Sequence, residues 1–146
     1  MARDNINIGI VGLGFMAAMH IRAYREVGSV TIGAICDLDP NRLNGDFSDV
    51  LGNIDSGDPV KLDMSQVKAY QDFNELLADK SIDVIDICTP TRTHLRMAKP
   101  ALASGKHVIC EKPLARTVAE AKEIAEATAQ AKGHFMVAMC LRFWPQ

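Results

Sequence analysis

A glycine-rich segment is the first part of this 146-residue chain whose residue types and spacing could do chemistry. An apolar run, Ile6–Val11, leads directly into Gly12-Leu13-Gly14-Phe15-Met16-Ala17, and a helical pattern follows. Gly12 permits a tight turn, Gly14 lets a phosphate approach the backbone, and Ala17 lets helix and strand pack closely. Free N–H groups at the start of the helix would face that phosphate, at the positive end of the helix dipole.

This G-x-G-x-x-A pattern has two interpretations. A turn that merely needs glycine produces the same letters. The strand before it and the amphipathic helix after it favour a dinucleotide-binding loop, in which Phe15 and Met16 would open the helix beside the pyrophosphate.

An aspartate ends the next apolar run, where the sugar of a nucleotide would lie. Val30–Cys36 is followed by Asp37, whose carboxylate could accept hydrogen bonds from the ribose hydroxyls of adenosine and would repel a 2′-phosphate. Asp39, just before Pro40, is the better N-cap of the helix that follows. Arg42 could pair with Asp39 or lie on the adenine face, which leaves room for a 2′-phosphate. We therefore predict NAD as the cofactor, with NADP as the alternative.

Polar residues also follow the fourth and fifth predicted strands. Thr89-Pro90-Thr91-Arg92-Thr93-His94 comes after Val84–Cys88, and Glu111-Lys112-Pro113-Leu114-Ala115 comes after His107–Cys110. Both segments would lie at the carboxyl edge of a parallel sheet, where ligands of open α/β folds bind. They are therefore candidates for the same site as the glycine loop.

The elements that must position these residues alternate along the chain. The apolar runs are short and mostly continuous, as expected for strands buried on both faces of a parallel sheet: Ile6–Val11, Val30–Cys36, Val84–Cys88, His107–Cys110 and Phe135–Leu141. Helical patterns lie between them, and Thr117 to Glu120 has the spacing of a capping box before a helix that stops at Gly133. We predict a doubly wound, mostly parallel α/β sheet of the Rossmann type, in three α/β/α layers.

One acidic segment, Asp37–Asp63, departs from this alternation. It holds seven aspartates against two basic residues, and glycines interrupt it. We predict a short helix after Pro40, an exposed loop to about Gln66, a weak strand Val67–Tyr70 and a helix Phe73–Ala78. The acidic run is interpreted as a solvated surface.

Composition and charge exclude several classes of protein. The chain is 48% hydrophobic and 23% charged with a net charge of −2, which fits one globular domain and gives no electrostatic basis for binding nucleic acid. We find no membrane span or signal peptide, so we expect no membrane partner and a cytoplasmic protein. Cys36, Cys88, Cys110 and Cys140 match no zinc pattern and are interpreted as reduced core cysteines, with Cys110 the one candidate for a reactive thiol. We predict no metal site.

A methyltransferase that uses S-adenosylmethionine also has a glycine-rich loop and an acidic second strand end, so the later motifs must separate the classes. They resemble the glucose-fructose oxidoreductase, inositol dehydrogenase and MocA family of nicotinamide-dependent oxidoreductases. The resemblance covers nearly the whole chain except the acidic segment, in Gly9–Gly14 with His20, Ala34–Pro40, Leu76–Asp79, Ile82–Val84, Thr89-Pro90 with His94, Gly105–Ala115 and Arg142–Pro145.

The resemblance implies roles at the carboxyl edge and a reaction. Lys112 would lie near the nicotinamide and the reacting carbon of a sugar or polyol, where a lysine can assist proton transfer and stabilise a developing alkoxide. Glu111 and the backbone around Thr89 and Pro90 would hold the nicotinamide ribose, and His94 would line the same edge. The implied reaction is hydride transfer between a secondary alcohol and the nicotinamide.

Length and one proline depart from the family pattern. Pro100 lies in the helix expected after His94, which should therefore kink or start late. Family members are much longer, because a second domain supplies the substrate pocket and further acid–base residues. We expect residues 1–146 to be the NAD(P)-binding Rossmann domain of such a protein, weak in NAD binding and nearly inactive alone, with homo-oligomer contacts in the second domain.

Two other functions are compatible with the same residues and fold. The same fold could serve a dinucleotide sensor without catalysis, which would bind a partner in an NAD-dependent way. A family member could also use transient oxidation by NAD to cleave a glycoside. We interpret His20, on the first helix, as a packing residue.

Overall fold

Strands and helices alternate as the sequence predicts in the computed structural model, which describes residues 5–50, 52 and 59–145. The strands of this described part are β1 Ile6–Val11, β2 Val30–Cys36, β3 Lys68–Tyr70, β4 Val84–Ile87, β5 His107–Cys110 and β6 Phe135–Val137. The helices are α1 Phe15–Arg25, α2 Phe73–Ala78, α3 His94–Ala103 and α4 Val118–Gln130, with 3₁₀ turns at Pro40–Asn44, Thr91–Thr93 and Cys140–Phe143.

The six strands form one sheet in the order β3-β2-β1-β4-β5-β6, with every neighbouring pair parallel. The chain therefore winds outward from β1 in one direction and from β4 in the other, which confirms the doubly wound Rossmann prediction. In the sheet Val11 pairs with Cys36 and with Ile87, and Ile87 pairs with Cys110. The residues that follow these four partners consequently emerge side by side at one edge.

Hydrophobic side chains cover both faces of the sheet. The helices α2, α3 and α4 pack on one face, around buried residues such as Leu76, Ala98 and Leu102. Helix α1 packs on the other, with Ala17 and Ile21 fully buried. These are the three α/β/α layers expected from the sequence, and no helix within the described residues is long and apolar enough to cross a membrane.

Part of the acidic segment is core rather than exposed loop. Phe47 and Val60 are 4% and 2% exposed and pack beside α1, so the prediction of an exposed loop to Gln66 was wrong for them. An antiparallel bridge between Asp46 and Lys61 joins the two arms of the segment, and an ion pair of 2.8 Å reinforces it. Burial of the two apolar side chains explains why the segment folds back on α1. Asp55 and Asp58 lie outside the described residues.

Several element boundaries also differ from the predicted ones. Strand β6 stops at Val137 instead of Leu141, and α4 stops at Gln130 instead of Gly133. Helix α3 begins at His94 and runs through Pro100, so the expected late start is not observed. Pro100 lies on the exposed side of α3, where water can hydrogen-bond to the carbonyl that the missing N–H leaves free.

A polar network at the end of α2 contributes to stability. The Asp79 carboxylate accepts hydrogen bonds of 2.7–3.0 Å from Lys68 Nζ, the Tyr70 hydroxyl, and both the amide and the hydroxyl of Ser81. Burial alone would raise the pKa of Asp79, but the hydrogen bonds from Ser81, Lys68 and Tyr70 outweigh it and hold that pKa below its ordinary value.

We expect Asp79→Asn to lower the free energy of unfolding by about 1–3 kcal/mol near neutral pH. Because the pKa of Asp79 is lower in the folded state, its stabilisation is complete above the unfolded value of about 3.9 and is lost as the pH falls through the folded value. We measure the free energy of unfolding of the unmutated protein and of Asp79→Asn with urea, at about pH 7 and about pH 3. The difference between the two proteins should be smaller at about pH 3. Glu126→Gln, on the exposed face of α4, is the control. A difference in the free energy of unfolding between the unmutated protein and Asp79→Asn that is equal at both pH values would contradict the prediction.

Candidate cofactor-binding site

The turn after β1 depends on Gly12 for two reasons. Its φ of +86° lies in the left-handed region, which side chains other than glycine rarely adopt. A Cβ at this position would lie 2.9 Å from both the amide nitrogen and Cα of Thr89. The Gly12 N–H also donates to the Cys36 carbonyl at 2.9 Å. Gly12 thus brings the ends of β1, β2 and β4 into direct contact.

The second glycine of the loop, Gly14, faces open space instead of a close neighbour. Gly14 is the N-cap residue of α1, and a Cβ built on it would have no atom within 4 Å among those described. No side-chain cap bonds to the N–H groups of the first turn, to which Phe15 and Met16 belong, and that turn holds no acidic residue. An open approach to free N–H groups at a helix N-terminus fits the pyrophosphate of a dinucleotide.

Asp37 is tied to the glycine loop by its own side chain. Its Oδ2 accepts a hydrogen bond of 2.7 Å from the Leu13 amide, and its Oδ1 accepts one of 2.9 Å from the Asp39 amide. Asp39 caps the 3₁₀ turn through the Asn41 amide, as predicted. Each oxygen of Asp37 keeps a further lone pair, so the half-buried carboxylate can still accept bonds from two ribose hydroxyls.

A cavity of about 160 Å³ lies at this edge, and Gly12, Asp37, Thr89 and Pro90 line it. Arg92 and Thr93, from the predicted segment after β4, line it as well, and so do Leu38, Gln71, Phe73, Arg96 and Met97. The other predicted cofactor residues do not line this cavity: Gly14, Phe15, Met16, Arg42, His94, Glu111 and Lys112. Arg42 instead lines a neighbouring depression of about 300 Å³ with Asp39 and Asn44. A larger depression, of about 730 Å³ between α3 and α4, holds none of the predicted site residues.

His94 links the two polar loops from inside the protein. The residue is 1% exposed; its Nε2 lies 2.9 Å from the Thr89 carbonyl, and its Nδ1 lies 3.1 and 3.2 Å from the carbonyls of Pro113 and Leu114. The imidazole therefore holds the loop after β4 against the loop after β5. Any contribution of this side chain to cofactor binding goes through the position of those loops.

The turn after β5 presents Lys112 to solvent and turns Glu111 inward. Glu111 is 5% exposed; its Oε2 accepts a hydrogen bond of 2.9 Å from the Lys112 amide, and its Oε1 lies 3.1 Å from His20 Nε2. Lys112 precedes Pro113 through a cis peptide bond. The Glu111 carboxylate thus fixes the backbone that carries the exposed lysine.

A buried hydrogen-bond network beneath this turn was missed from the sequence. His20 Nδ1 lies 2.8 Å from Asp86 Oδ2, and the Tyr24 hydroxyl donates to the same oxygen at 2.8 Å. Burial lowers the pKa of His20, but its hydrogen bonds to Asp86 and Glu111 and their charges outweigh burial and raise it above the ordinary value. His20 is therefore not a simple packing residue. The available signal was Asp86, a lone charge inside an apolar strand.

The cysteines divide into three environments. Cys36 and Cys110 are buried, and burial raises the pKa of each thiol to about 12, so Cys110 is not the reactive thiol that the sequence left open. Cys88 is half-buried beside His20 and Asp86, where burial raises its pKa well above the ordinary value. Cys140 is exposed, contrary to the prediction of a core cysteine, because it follows β6 in a surface turn.

Fold and site together define an NAD-binding Rossmann domain. The chain belongs to the Gfo/Idh/MocA family, whose model, described as an oxidoreductase family with an NAD-binding Rossmann fold, matches residues 6–139. It is 32% identical to an inositol 2-dehydrogenase from Salmonella paratyphi B over 135 residues, which are 90% of this chain and 35% of that protein. It is also 32% identical to a glycosyl hydrolase family 109 protein from Shewanella pealeana, over 92% of this chain and 28% of that protein.

A solved structure shows the same fold with cofactor bound. Scyllo-inositol dehydrogenase from Lactobacillus casei, with bound NAD(H) and scyllo-inositol, matches with a TM-score of 0.79 and 25% identity, over 96% of this chain and 38% of that one. The chain spans about a third of the length of the curated relatives it matches.

Asp37→Ala is the variant that tests the cofactor preference. The carboxylate that would bind the ribose and repel a 2′-phosphate is lost, while Arg92 and Arg96 still line the same cavity. We expect NADH affinity to fall about tenfold and the ratio of NADPH to NADH affinity to rise by at least about tenfold, measured by calorimetry. Asp37→Asn is the matched control, because it keeps an acceptor for the Leu13 amide without the charge. Tighter NADPH than NADH binding by the unmutated protein would contradict the role of Asp37.

Proposed function

We propose that this chain is the cofactor domain of a dehydrogenase that oxidises a secondary hydroxyl of a polyol or sugar. One observation carries the proposal: the glycine loop, Asp37 and the Glu111–Lys112 turn follow β1, β2 and β5 at the same edge of the sheet. The names of the relatives agree with it, since they include dehydrogenases of inositol, apiose and levoglucosan.

The residues at this edge have different roles in this proposal, according to their chemistry. The open backbone at Gly14 and the free N–H groups of the first turn of α1 would bind the diphosphate, and Asp37 the adenosine ribose. Bound NAD would supply the hydride acceptor. Lys112, exposed on a turn fixed by Glu111, would hold or move the proton of the substrate hydroxyl and stabilise negative charge on its oxygen. Thr89 and Pro90, held by His94, would line the cofactor cleft.

The substrate pocket lies outside these residues in this proposal. The chain would be joined to a second domain that completes the pocket and through which the complete protein forms homo-oligomers. The chain by itself would then bind NAD weakly and turn over little.

The test uses the complete protein that carries this chain, supplied with NAD⁺ and either myo-inositol or scyllo-inositol as probes. We expect NADH to accumulate, detected by its absorbance, at a rate that depends on the polyol. Cleavage of an aryl glycoside that requires NAD⁺ but yields no net NADH would instead identify a glycoside-cleaving enzyme. Tight NADH binding with neither reaction would favour a dinucleotide sensor.

A further inference from the structure

A buried charged group lies directly beneath the turn that carries Lys112. Asp86 is fully buried in β4, where it pairs with Ile10 of β1 and Ile109 of β5 at the middle of the sheet. Its carboxylate accepts a hydrogen bond from Tyr24 at 2.8 Å and lies 3.6 Å from the Cys88 thiol. A carboxylate in this position needs a cation, because an unpaired buried charge is strongly unfavourable.

His20 lies where it can supply that cation. Nδ1 lies 2.8 Å from Asp86 Oδ2 and Nε2 lies 3.1 Å from Glu111 Oε1, so each ring nitrogen faces a carboxylate. Because an ionised carboxylate only accepts hydrogen bonds, this arrangement suits a ring that carries a proton on both nitrogens. The positive charge of such a ring would lie between two buried negative charges.

The chain of contacts continues from this group to the backbone of Lys112. Glu111 uses Oε1 on His20 and Oε2 on the Lys112 amide, at 2.9 Å. A neutral ring carries one proton and can donate to only one of the two carboxylates. When that proton lies on Nδ1, beside the more deeply buried Asp86, Glu111 loses its donor and its bond to the Lys112 amide weakens.

We propose that His20 is a positioning residue of the cofactor site, whose doubly protonated ring holds Glu111 inward and through it fixes the backbone of Lys112. The catalytic meaning of this positioning rests on the proposed function, but the positioning itself does not. Among the described residues, the charged and titratable groups that face the ring are Asp86 of β4, Cys88 just after β4, Tyr24 of α1 and Glu111 just after β5.

Three variants separate positioning from general structural support. His20→Gln removes the cation. Asp86→Asn lets a neutral His20 keep its Nε2 proton for Glu111, while the new amide donates to Nδ1. His134→Gln replaces an exposed histidine at the start of β6, on the opposite edge of the sheet, and is the matched control.

The measurements are ¹⁵N NMR of the imidazole nitrogens and hydrogen exchange of the Lys112 amide. We expect both nitrogens of His20 to be protonated near neutral pH in the unmutated protein, and only Nε2 in Asp86→Asn. We expect Lys112 amide exchange to be about tenfold faster in His20→Gln, and unchanged in Asp86→Asn and His134→Gln. In the unmutated protein, protection should fall as the pH rises through the pKa of His20, whereas Asp86→Asn should show no such step.

A neutral His20 in the unmutated protein, or equal Lys112 exchange in His20→Gln, would overturn the proposal. If His20→Gln does not fold, the protonation state of His20 and the pH step, both compared between the unmutated protein and Asp86→Asn, decide. Titration with NADH, followed by its fluorescence, is done on the same samples. Failure of the unmutated protein to bind NADH would remove the proposed function, whereas the protonation state of His20 and the exchange of the Lys112 amide would still decide the positioning role.

Discussion

Replacing Lys112 by alanine in the complete protein is expected to lower kcat by about 10²- to 10⁴-fold, the usual contribution of a positioned acid–base group. The side chain is exposed, and its backbone is held by the Glu111 carboxylate, so its loss leaves the turn intact. NADH affinity should therefore change by less than about threefold. Steady-state kinetics with a polyol and a fluorescence titration with NADH measure the two quantities separately.

Lys122→Ala is the matched control for this experiment, since Lys122 is an exposed lysine on α4, away from the sheet edge. It should leave both quantities unchanged. A Lys112→Ala protein with full turnover would place the proton-transfer group elsewhere. Loss of NADH affinity together with turnover would instead make Lys112 a cofactor ligand without an acid–base role.

Alanine at the two loop glycines is expected to affect different properties: Gly12→Ala lowers stability, and Gly14→Ala lowers NADH affinity. Gly12→Ala should lower the free energy of unfolding by about 2–4 kcal/mol, because it combines a φ of +86° with a contact of 2.9 Å to the Thr89 backbone. Gly14→Ala meets open space, so its unfolding free energy should change by less than about 1 kcal/mol. Its new methyl group occupies the approach to the free N–H groups of α1, and NADH affinity should fall at least about tenfold.

Urea unfolding and calorimetric titration of both variants test this pair together. Gly28→Ala is a control, since a Cβ there also meets nothing within 4 Å and Gly28 lies between α1 and β2, remote from the loop. A Gly14→Ala protein that binds NADH normally would show that no phosphate group lies against this backbone. A Gly12→Ala protein of normal stability would show that the turn has freedom to relax.

Much of the fold could be predicted because its signals are local. Continuous apolar runs mark strands buried on both faces, and the bounds of β1, β2, β5 and α2 match the predicted ones. The glycine loop and Asp37 were predicted for the same reason: each directly follows a strand, and parallel strands end at a common edge. Arg42 was also predicted to lie at the cofactor site. In the structure it lines a neighbouring depression, whereas Arg92 and Arg96 line the cavity with Asp37.

The missed features depend on contacts between distant segments. Nothing next to Phe47 or Val60 in the chain marks them as core, because the cluster that they join is formed by residues distant in the chain, from β1, α1 and β2. Lys106 is 8% exposed and donates to the carbonyls of Asp79 and Ile82 at 2.8 Å, a use of lysine that its own neighbours do not suggest. Composition likewise indicates that the acidic segment Asp37–Asp63 is a solvated loop, whereas in the structure Phe47 and Val60 of this segment are buried in the core.

The order of strand, glycine loop and helix, and the residue types at each strand end, are properties of the sequence, and they suffice to predict a dinucleotide site at the sheet edge. The pairing of His20 with Asp86 and Glu111 follows from folding alone. Asp86 and Glu111 are 66 and 91 positions from His20 along the chain, and folding brings them to the two nitrogens of its ring. Local patterns specify which elements form, whereas the packing of those elements decides which buried polar groups face one another.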